Sequence, residues 1–196
     1  RQAMSGGQIC LGMDCAWGGS GWAIHDGRKI LKTGWRAFPA DKRTLRALRD
    51  WLDESLLPHC GSVDAVFVEI TNVFGAPEDS DGKPQNFMLA YQVSVRECAQ
   101  AVAMWIVMMD VGQGEPTMVF PASWRASFKA LIPKPRPKGA AEWKQWSQKI
   151  CSQMFPGCLD GLGKKAKEDT ADACLLAAHG FGTLQPSVKI LKERRK

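Results

Sequence analysis

Four acidic residues, spread over most of the chain, are the side chains best suited to act together. Asp14 and Glu69 each close an apolar run that is typical of a buried strand. Asp169 and Asp172 lie three residues apart in a stretch rich in alanine and leucine, so a helix over residues 168–180 would place both on one face. Carboxylates brought together repel one another unless cations lie between them, and oxygen ligands favour Mg²⁺ or Mn²⁺. The pattern therefore indicates a divalent-metal site, provided that the fold brings the acids together.

Such a site is suited to cutting phosphodiesters. Two ions about 3.5–4 Å apart promote in-line hydrolysis, one by helping to generate the attacking hydroxide and the other by stabilising the leaving 3′ oxygen. Each acid also has a structural explanation, since acids cap turns and favour helix N-termini. Glu69 is the hardest to explain in that way, because a buried unpaired acid is costly. His179, two turns beyond Asp172, is either an accessory residue of the site or an ordinary helix histidine.

The segments that carry the acids predict an α/β fold. Apolar runs and turn signals predict strands at residues 8–14, 22–25, 29–38, 63–70 and 117–120. Apolar periodicity and start signals predict helices at about residues 42–57, 86–109, 121–130, 140–154 and 168–180. This order favours a mixed five-stranded central sheet with helices on both faces, in which the first three strands are antiparallel and strands one, four and five are parallel. Asp14 and Glu69 then leave the sheet at the same edge, where ligands bind in such sheets.

The bulk composition is that of one globular domain with a positive net charge. The chain has 196 residues and a formal net charge of +6, which raises the odds of a polyanionic partner. No apolar run approaches the roughly 18–20 residues of a membrane span, so we expect no membrane partner. The seven cysteines are odd in number and contain no Cys-x-x-Cys pair, which favours reduced core thiols over a disulfide framework or a zinc site.

The sequence around the acids resembles the RuvC class of Holliday-junction resolvases, which have the ribonuclease H-like fold. Leu11-Gly12-Met13-Asp14 resembles the opening strand of that family, Phe67-Val68-Glu69 its glutamate strand, and Glu168-Asp169-Thr170-Ala171-Asp172-Ala173 its final acidic helix. Residues 121–128 and 175–180 look most like the chloroplast resolvase branch and its phage-like relatives. The resemblance covers residues 8–182. It leaves residues 1–7 as a disordered or artificial N-terminus and residues 183–196 as a basic tail.

By this resemblance, Asp14, Glu69, Asp169 and Asp172 would be catalytic acids that hold two Mg²⁺ ions per site, for which Mn²⁺ would substitute. The family consists of homodimeric enzymes that resolve four-way DNA junctions by paired nicks, leaving 5′-phosphate and 3′-hydroxyl ends. Three alternatives remain open: a nuclease of flaps or other branched DNA, a nuclease of RNA–DNA hybrids, and a non-catalytic junction-binding dimer. The resemblance also implies the cytoplasm or nucleoid of a bacterium or phage-infected cell, or an organelle if a transit peptide has been removed.

Several further residues are candidates for contact with DNA. Phe74 resembles the aromatic residue that enters the opened junction, although core packing explains it equally well, and Asn86 begins the long central helix. Two groups of basic residues are candidates for phosphate contacts, or for solvated loop residues. These residues are Lys134, Arg136, Lys138, Lys164, Lys165 and Lys167. The helix at 86–109 is too apolar for one exposed face, so we expect it to pack in the core and against a second subunit.

Overall fold

A mixed five-stranded sheet forms the centre of the protein. The computed structural model describes residues 8–71 and 86–184. The strands are β1 (Cys10–Asp14), β2 (Ser20–His25), β3 (Ile30–Arg36), β4 (Ala65–Glu69) and β5 (Thr117–Val119). β1, β2 and β3 form an antiparallel meander, β4 runs parallel to β1, and β5 runs parallel to β4. The order across the sheet is β3-β2-β1-β4-β5, which confirms the predicted topology.

Helices cover both faces of this sheet, as predicted. They are α1 (Leu45–Ser55), α2 (Asn86–Met108), α3 (Pro121–Ser127), α4 (Ala140–Met154) and α5 (Lys164–Leu184). α1 and α2 pack on the side to which Leu11 and Met13 point, whereas α3, α4 and α5 pack on the side of Cys10. This division follows from the alternation of side chains along β1. Within the described parts of the chain, no helix combines the length and apolar character that crossing a membrane requires.

Two helices begin at positions that differ from the prediction. α1 begins at Leu45 because the Thr44 side chain accepts a hydrogen bond from the backbone N–H of Ala47 and caps the helix there. α5 begins at Lys164, four residues before the predicted start, and the Lys167 N–H donates to the Gly163 carbonyl in its first turn. The basic residues 164–167 are therefore helical rather than part of a loop, and the acids lie in the following turns.

α5 lies directly on the sheet because two glycines of β1 and β2 leave room for it. A methyl group on Gly12 would overlap the backbone of Ala173 and Ala177, and one on Gly21 would meet the backbone of Asp169. The helix backbone thus approaches the strands more closely than any side chain on these positions would permit. This close approach brings the acids of α5 beside the end of β1.

We expect Gly12→Ala to destabilise the protein by about 2–3 kcal/mol, at the upper end of overpacking costs, because backbone atoms of α5 cannot move aside as side chains do. In a protein of this size, that corresponds to a fall in Tm of about 4–12 °C. Gly18→Ala is the matched control, because no atom lies within 4 Å of the added methyl group. Thermal unfolding followed by circular dichroism measures both, and equal Tm values for the two variants would contradict the close packing of α5.

Candidate active site

The four acids converge at the edge of the sheet where β1 and β4 end. Met13 pairs with Val68 in the parallel ladder, so the next residues, Asp14 and Glu69, leave the two strands side by side. α5 crosses this edge and adds Asp169 and Asp172 from successive turns. Asp14, Asp169 and Asp172 are buried, with Asp172 only 1% exposed. The structure therefore brings together the four residues that the sequence singled out.

A lysine that the sequence did not single out lies among these acids. Lys144 of α4 donates hydrogen bonds from its Nζ to Asp172 Oδ2 at 2.6 Å, to Asp14 Oδ2 at 3.1 Å and to Asp169 Oδ1 at 3.3 Å. The Lys165 Nζ lies 3.7 Å from the other oxygen of Asp169. These lysines are the positive charges within ion-pair distance of the acids among the residues that the structure describes.

Two tryptophans hold individual carboxylate oxygens in place. Trp35 of β3 donates its Nε1–H to Asp169 Oδ2 at 3.0 Å, and Trp124 of α3 donates its Nε1–H to Glu69 Oε2. An indole N–H can donate a hydrogen bond but cannot accept one. It therefore orients a carboxylate without competing with that carboxylate for a cation. Asp169 and Glu69 therefore each keep one oxygen directed by a rigid ring.

The electrostatics of the site make it difficult for all four acids to ionise together. Burial, with smaller contributions from Asp14 and Asp172, raises the pKa of Glu69 to about 8. Burial also raises the pKa of Asp14 to about 6, although the Lys144 ammonium opposes this shift. The acids outweigh the effect of burial on Lys144, whose pKa lies well above its usual value, so its side chain is a cation. The site holds more potential negative charge than the neighbouring lysines neutralise.

The donor set fits a hard divalent cation. Asp14, Glu69, Asp169 and Asp172 offer carboxylate oxygens alone, which are the ligands of Mg²⁺ and Mn²⁺. Asp172 Oδ1 is a buried oxygen without a hydrogen-bond partner among the described residues, and such an oxygen is costly unless it binds something. A cation bound there would satisfy this oxygen and lower the pKa values of the neighbouring acids. Lys144 occupies the space between three of them, so it would have to share the site or move.

The other candidate residues lie around this centre. His179 is in hydrogen-bond contact with Ser127, at 2.7 Å from Nδ1 to Oγ, and packs edge-on against Phe67; burial lowers its pKa. Its accessory role stays a prediction. The loop before α4 exposes three of the basic residues, and the first turn of α5 carries the other three. The first three are Lys134, Arg136 and Lys138, and the others are Lys164, Lys165 and Lys167.

Two candidates for DNA contact have no described side chain. Phe74 lies outside the residues that the structure describes, and Asn86 begins α2 but its side chain is not among those described. Residues 1–7 and nearly all of the predicted basic tail are likewise outside the described ranges. The predictions for these positions therefore stay predictions.

Lys144, Trp35 and Trp124 are the residues of the site that sequence reasoning missed. A signal existed for Lys144, because it lies on the same stripe of α4 as the buried Ser147 and Cys151, three and seven residues further on. A lysine in register with the buried face of a helix needs a buried partner. The two tryptophans gave no comparable signal, since an indole that orients a carboxylate has the same spacing as one that fills a core.

The fold is similar to that of solved RuvC structures. No protein-family model matches the chain, and no curated protein matches it. The structure of Thermus thermophilus RuvC in complex with a Holliday junction substrate is similar to this one, with a TM-score of 0.59, 14% identity, and coverage of 92% of this chain and 98% of that chain. A second Thermus thermophilus RuvC structure has a TM-score of 0.52 and 13% identity, with coverage of 91% and 97%. The likeness does not distinguish the chloroplast branch, but the chain has the RuvC-like, ribonuclease H-like fold that its motifs predicted.

Proposed function

We propose that the protein is a divalent-metal-dependent endonuclease that resolves four-way DNA junctions. The observation that carries this proposal is the convergence of four carboxylates from β1, β4 and α5 on one point of the sheet edge. The RuvC-like fold supports it, because a similar structure contains a Holliday junction substrate. Water would attack phosphorus, and the bond to the 3′ oxygen would break, leaving a 5′-phosphate and a 3′-hydroxyl.

The residues of the chain have distinct parts in this proposal. Asp14, Glu69, Asp169 and Asp172 would hold two Mg²⁺ ions, or Mn²⁺ in their place, and the ions would supply positive charge that activates water and stabilises the leaving oxygen. Trp35 and Trp124 keep the carboxylates of Asp169 and Glu69 oriented. Lys144 supplies a positive charge at the same point.

The first turn of α5 is suited to hold the DNA backbone close to these acids. Lys164, Lys165 and Lys167 lie at the positive end of the helix dipole, where cations are electrostatically unfavourable and anions are favoured. A phosphate there would gain both the dipole and the lysine charges. The Lys165 ammonium lies 3.7 Å from Asp169, so a phosphate that it contacts would be next to the acids.

The direct test is cleavage of a synthetic four-way junction. We expect paired, near-symmetric nicks with Mg²⁺ or Mn²⁺ and binding without cleavage in Ca²⁺. Asp14→Asn and Asp172→Asn should each lower the cleavage rate at least about a hundredfold. Each replaces a carboxylate ligand with a neutral amide, and the charge stabilisation that a bound metal gives the transition state is worth several kcal/mol. Asp41→Asn makes the same chemical change at an exposed turn and should leave the rate unaltered. Mapping the cut sites on a denaturing gel measures the outcome.

The same experiment separates the alternative functions. Flap, RNA–DNA hybrid and linear duplex substrates are tested in parallel, and faster cleavage of any of them than of the junction would assign that substrate instead. Tight junction binding with no cleavage in Mg²⁺ or Mn²⁺ would make the protein a non-catalytic junction-binding dimer. Undiminished cleavage by Asp14→Asn would remove the metal site from the mechanism.

The raised pKa values predict an unusual pH dependence of stability. Because Glu69 and Asp14 hold protons in the folded protein above the pH at which the unfolded chain releases them, folding is favoured at low pH and loses stability as pH rises toward about 8. We expect the Tm in EDTA to fall by several degrees between pH 5 and pH 8. Added Mg²⁺ should raise Tm at pH 8 and have little effect at pH 5, since protons and cations compete for the same oxygens.

Glu69→Gln is the matched control for this measurement. It keeps the shape of the side chain but cannot ionise, so the decline in Tm between pH 5 and pH 8 should be smaller than in the parent protein. Equal declines in the two proteins would show that the acidic site does not cause the pH dependence.

The proposed enzyme is a homodimer that associates through α2. The C-terminal half of this helix exposes Met104 and Met108, which are 66% and 79% accessible, and Val107 beside them. Two apolar grooves of about 370 and 320 Å³ flank these methionines, one against Met118 and the other against α1. An apolar surface of this kind on a small protein is typical of an interface, and paired nicks across a junction require two active sites.

We expect a dimeric mass at micromolar concentration by multi-angle light scattering, and a monomeric mass for Met108→Glu, because a charge in an apolar interface is left unpaired. Leu31→Glu is the matched control, since Leu31 is an exposed apolar residue on β3. A monomeric mass for the parent protein would contradict the dimer.

A further inference from the structure

Three of the seven cysteines meet on the side of the sheet that α5 covers. Cys151 lies near the end of α4, Cys158 lies between α4 and α5, and Cys174 lies in α5. Their Sγ atoms are all within 4.8 Å of one another, and those of Cys151 and Cys158 are 3.4 Å apart. All seven cysteines are free, as the sequence predicted, but these three are not isolated core thiols. Their spacings of seven and sixteen residues match no familiar metal-binding motif, which is why the sequence favoured no such site.

The arrangement has the dimensions of a thiolate metal site. With zinc–sulfur bonds of 2.3 Å in tetrahedral geometry, neighbouring sulfur atoms are about 3.8 Å apart. The observed separations therefore need only small side-chain adjustments to surround a cation. Sulfur ligands select soft or borderline metals, whereas the carboxylates at the sheet edge select hard ones. The two groups of residues would thus prefer different ions.

The ionisation of the cluster supports metal binding. The hydrogen bond between Cys151 and Cys158 lowers the pKa of Cys158 below that of an ordinary cysteine and raises the pKa of Cys151. By contrast, burial raises the pKa of Cys60 to about 11, which keeps that thiol protonated and inert. A thiolate is the form that binds metals, so a lowered pKa at Cys158 favours metal binding by the cluster.

Cys158 also gives the cluster access to solvent. It is partly exposed and lines a groove of about 340 Å³ together with Gly157, Asp160 and residues 30–33 of β3. A cation can therefore reach the cluster by this groove. An entry path is a property that a fully buried thiol cluster would lack.

We propose that Cys151, Cys158 and Cys174 bind one Zn²⁺-like, thiophilic divalent cation that fastens α4 to α5. Lys144 lies two turns before Cys151 on α4, and Asp172 lies two residues before Cys174 on α5. The cation would therefore join the two helices that meet at the acidic site. It is separate from the ions of the proposed nuclease reaction, and its binding does not depend on that reaction.

The test uses full-length Asp14→Asn protein, in which the acidic site is weakened, prepared free of metal with a phosphine reductant. Titration with Co²⁺ should produce a thiolate-to-cobalt charge-transfer absorption that saturates at one equivalent of Co²⁺. Carboxylates do not give this absorption. Added Zn²⁺ should displace the Co²⁺ and abolish the absorption. Zn²⁺ at a hundredfold excess over its Kd should raise Tm by about 5–10 °C. Cys158→Ser should lose most of the absorption and bind Zn²⁺ at least about tenfold more weakly.

Cys60→Ser is the matched control, because Cys60 is a buried free thiol on the other side of the sheet. It should keep the full cobalt absorption. X-ray absorption of Asp14→Asn protein loaded with one equivalent of Zn²⁺, which counts sulfur ligands directly, tests the proposal even if Cys158→Ser fails to fold, and three sulfurs are expected. Absence of the cobalt absorption, fewer than three sulfur ligands, or full absorption in Cys158→Ser would each overturn the proposal. Formation of a Cys151–Cys158 disulfide by glutathione disulfide in protein that binds no Co²⁺ would replace it with a redox pair.

Discussion

The mutual repulsion of four clustered carboxylates, three of them buried, is the constraint on which the rest of this structure depends. Water screens such charges poorly inside a protein, so the acids can ionise together only beside positive charge. Lys144 and Lys165 provide part of that charge, and burial together with the neighbouring Asp14 and Asp172 still raises the pKa of Glu69. A core built for stability alone would place apolar side chains at these positions. Four acids held there at such a cost are best explained by cations that bind between them.

The close approach of α5 to β1 and β2 fixes where the acids of α5 lie relative to Asp14. Gly12 and Gly21 let the helix backbone rest on the strands, so Asp169 and Asp172 have little freedom to move away from Asp14. α4 packs against α5 and brings Lys144 into the same space. Two of the three clustered cysteines, Cys151 and Cys174, lie in that same helix pair, so a ligand of the thiols would join the helices that carry Lys144 and the acids of α5.

The sequence predicted the parts of the fold that depend on local pattern and left out those that depend on packing. Apolar runs located the five strands, and the rule that parallel strands end at one edge was enough to bring Asp14 and Glu69 together. Lys144 and Trp35 contact acids 130 and 134 residues away in the sequence, so helix packing and sheet order decide their positions. The start of α5 was misplaced because acids usually mark the first turn, whereas lysines fill it here.

The choice of lysine at position 144 is itself informative about how such a site forms. An ammonium on a four-carbon stem is a compact charge that can withdraw along its own side chain, whereas an arginine would hold the carboxylates in a fixed bidentate pair. Lys144 can therefore neutralise Asp14, Asp169 and Asp172 while the chain folds, and later yield their oxygens to a cation of higher charge. Its Nζ is closest to Asp172, whose second oxygen has no partner among the described residues. The lysine thus leaves one carboxylate oxygen of the site, Asp172 Oδ1, without a partner in the described part of the chain. A metal ion that replaces an internal counter-ion needs such a free oxygen to bind first.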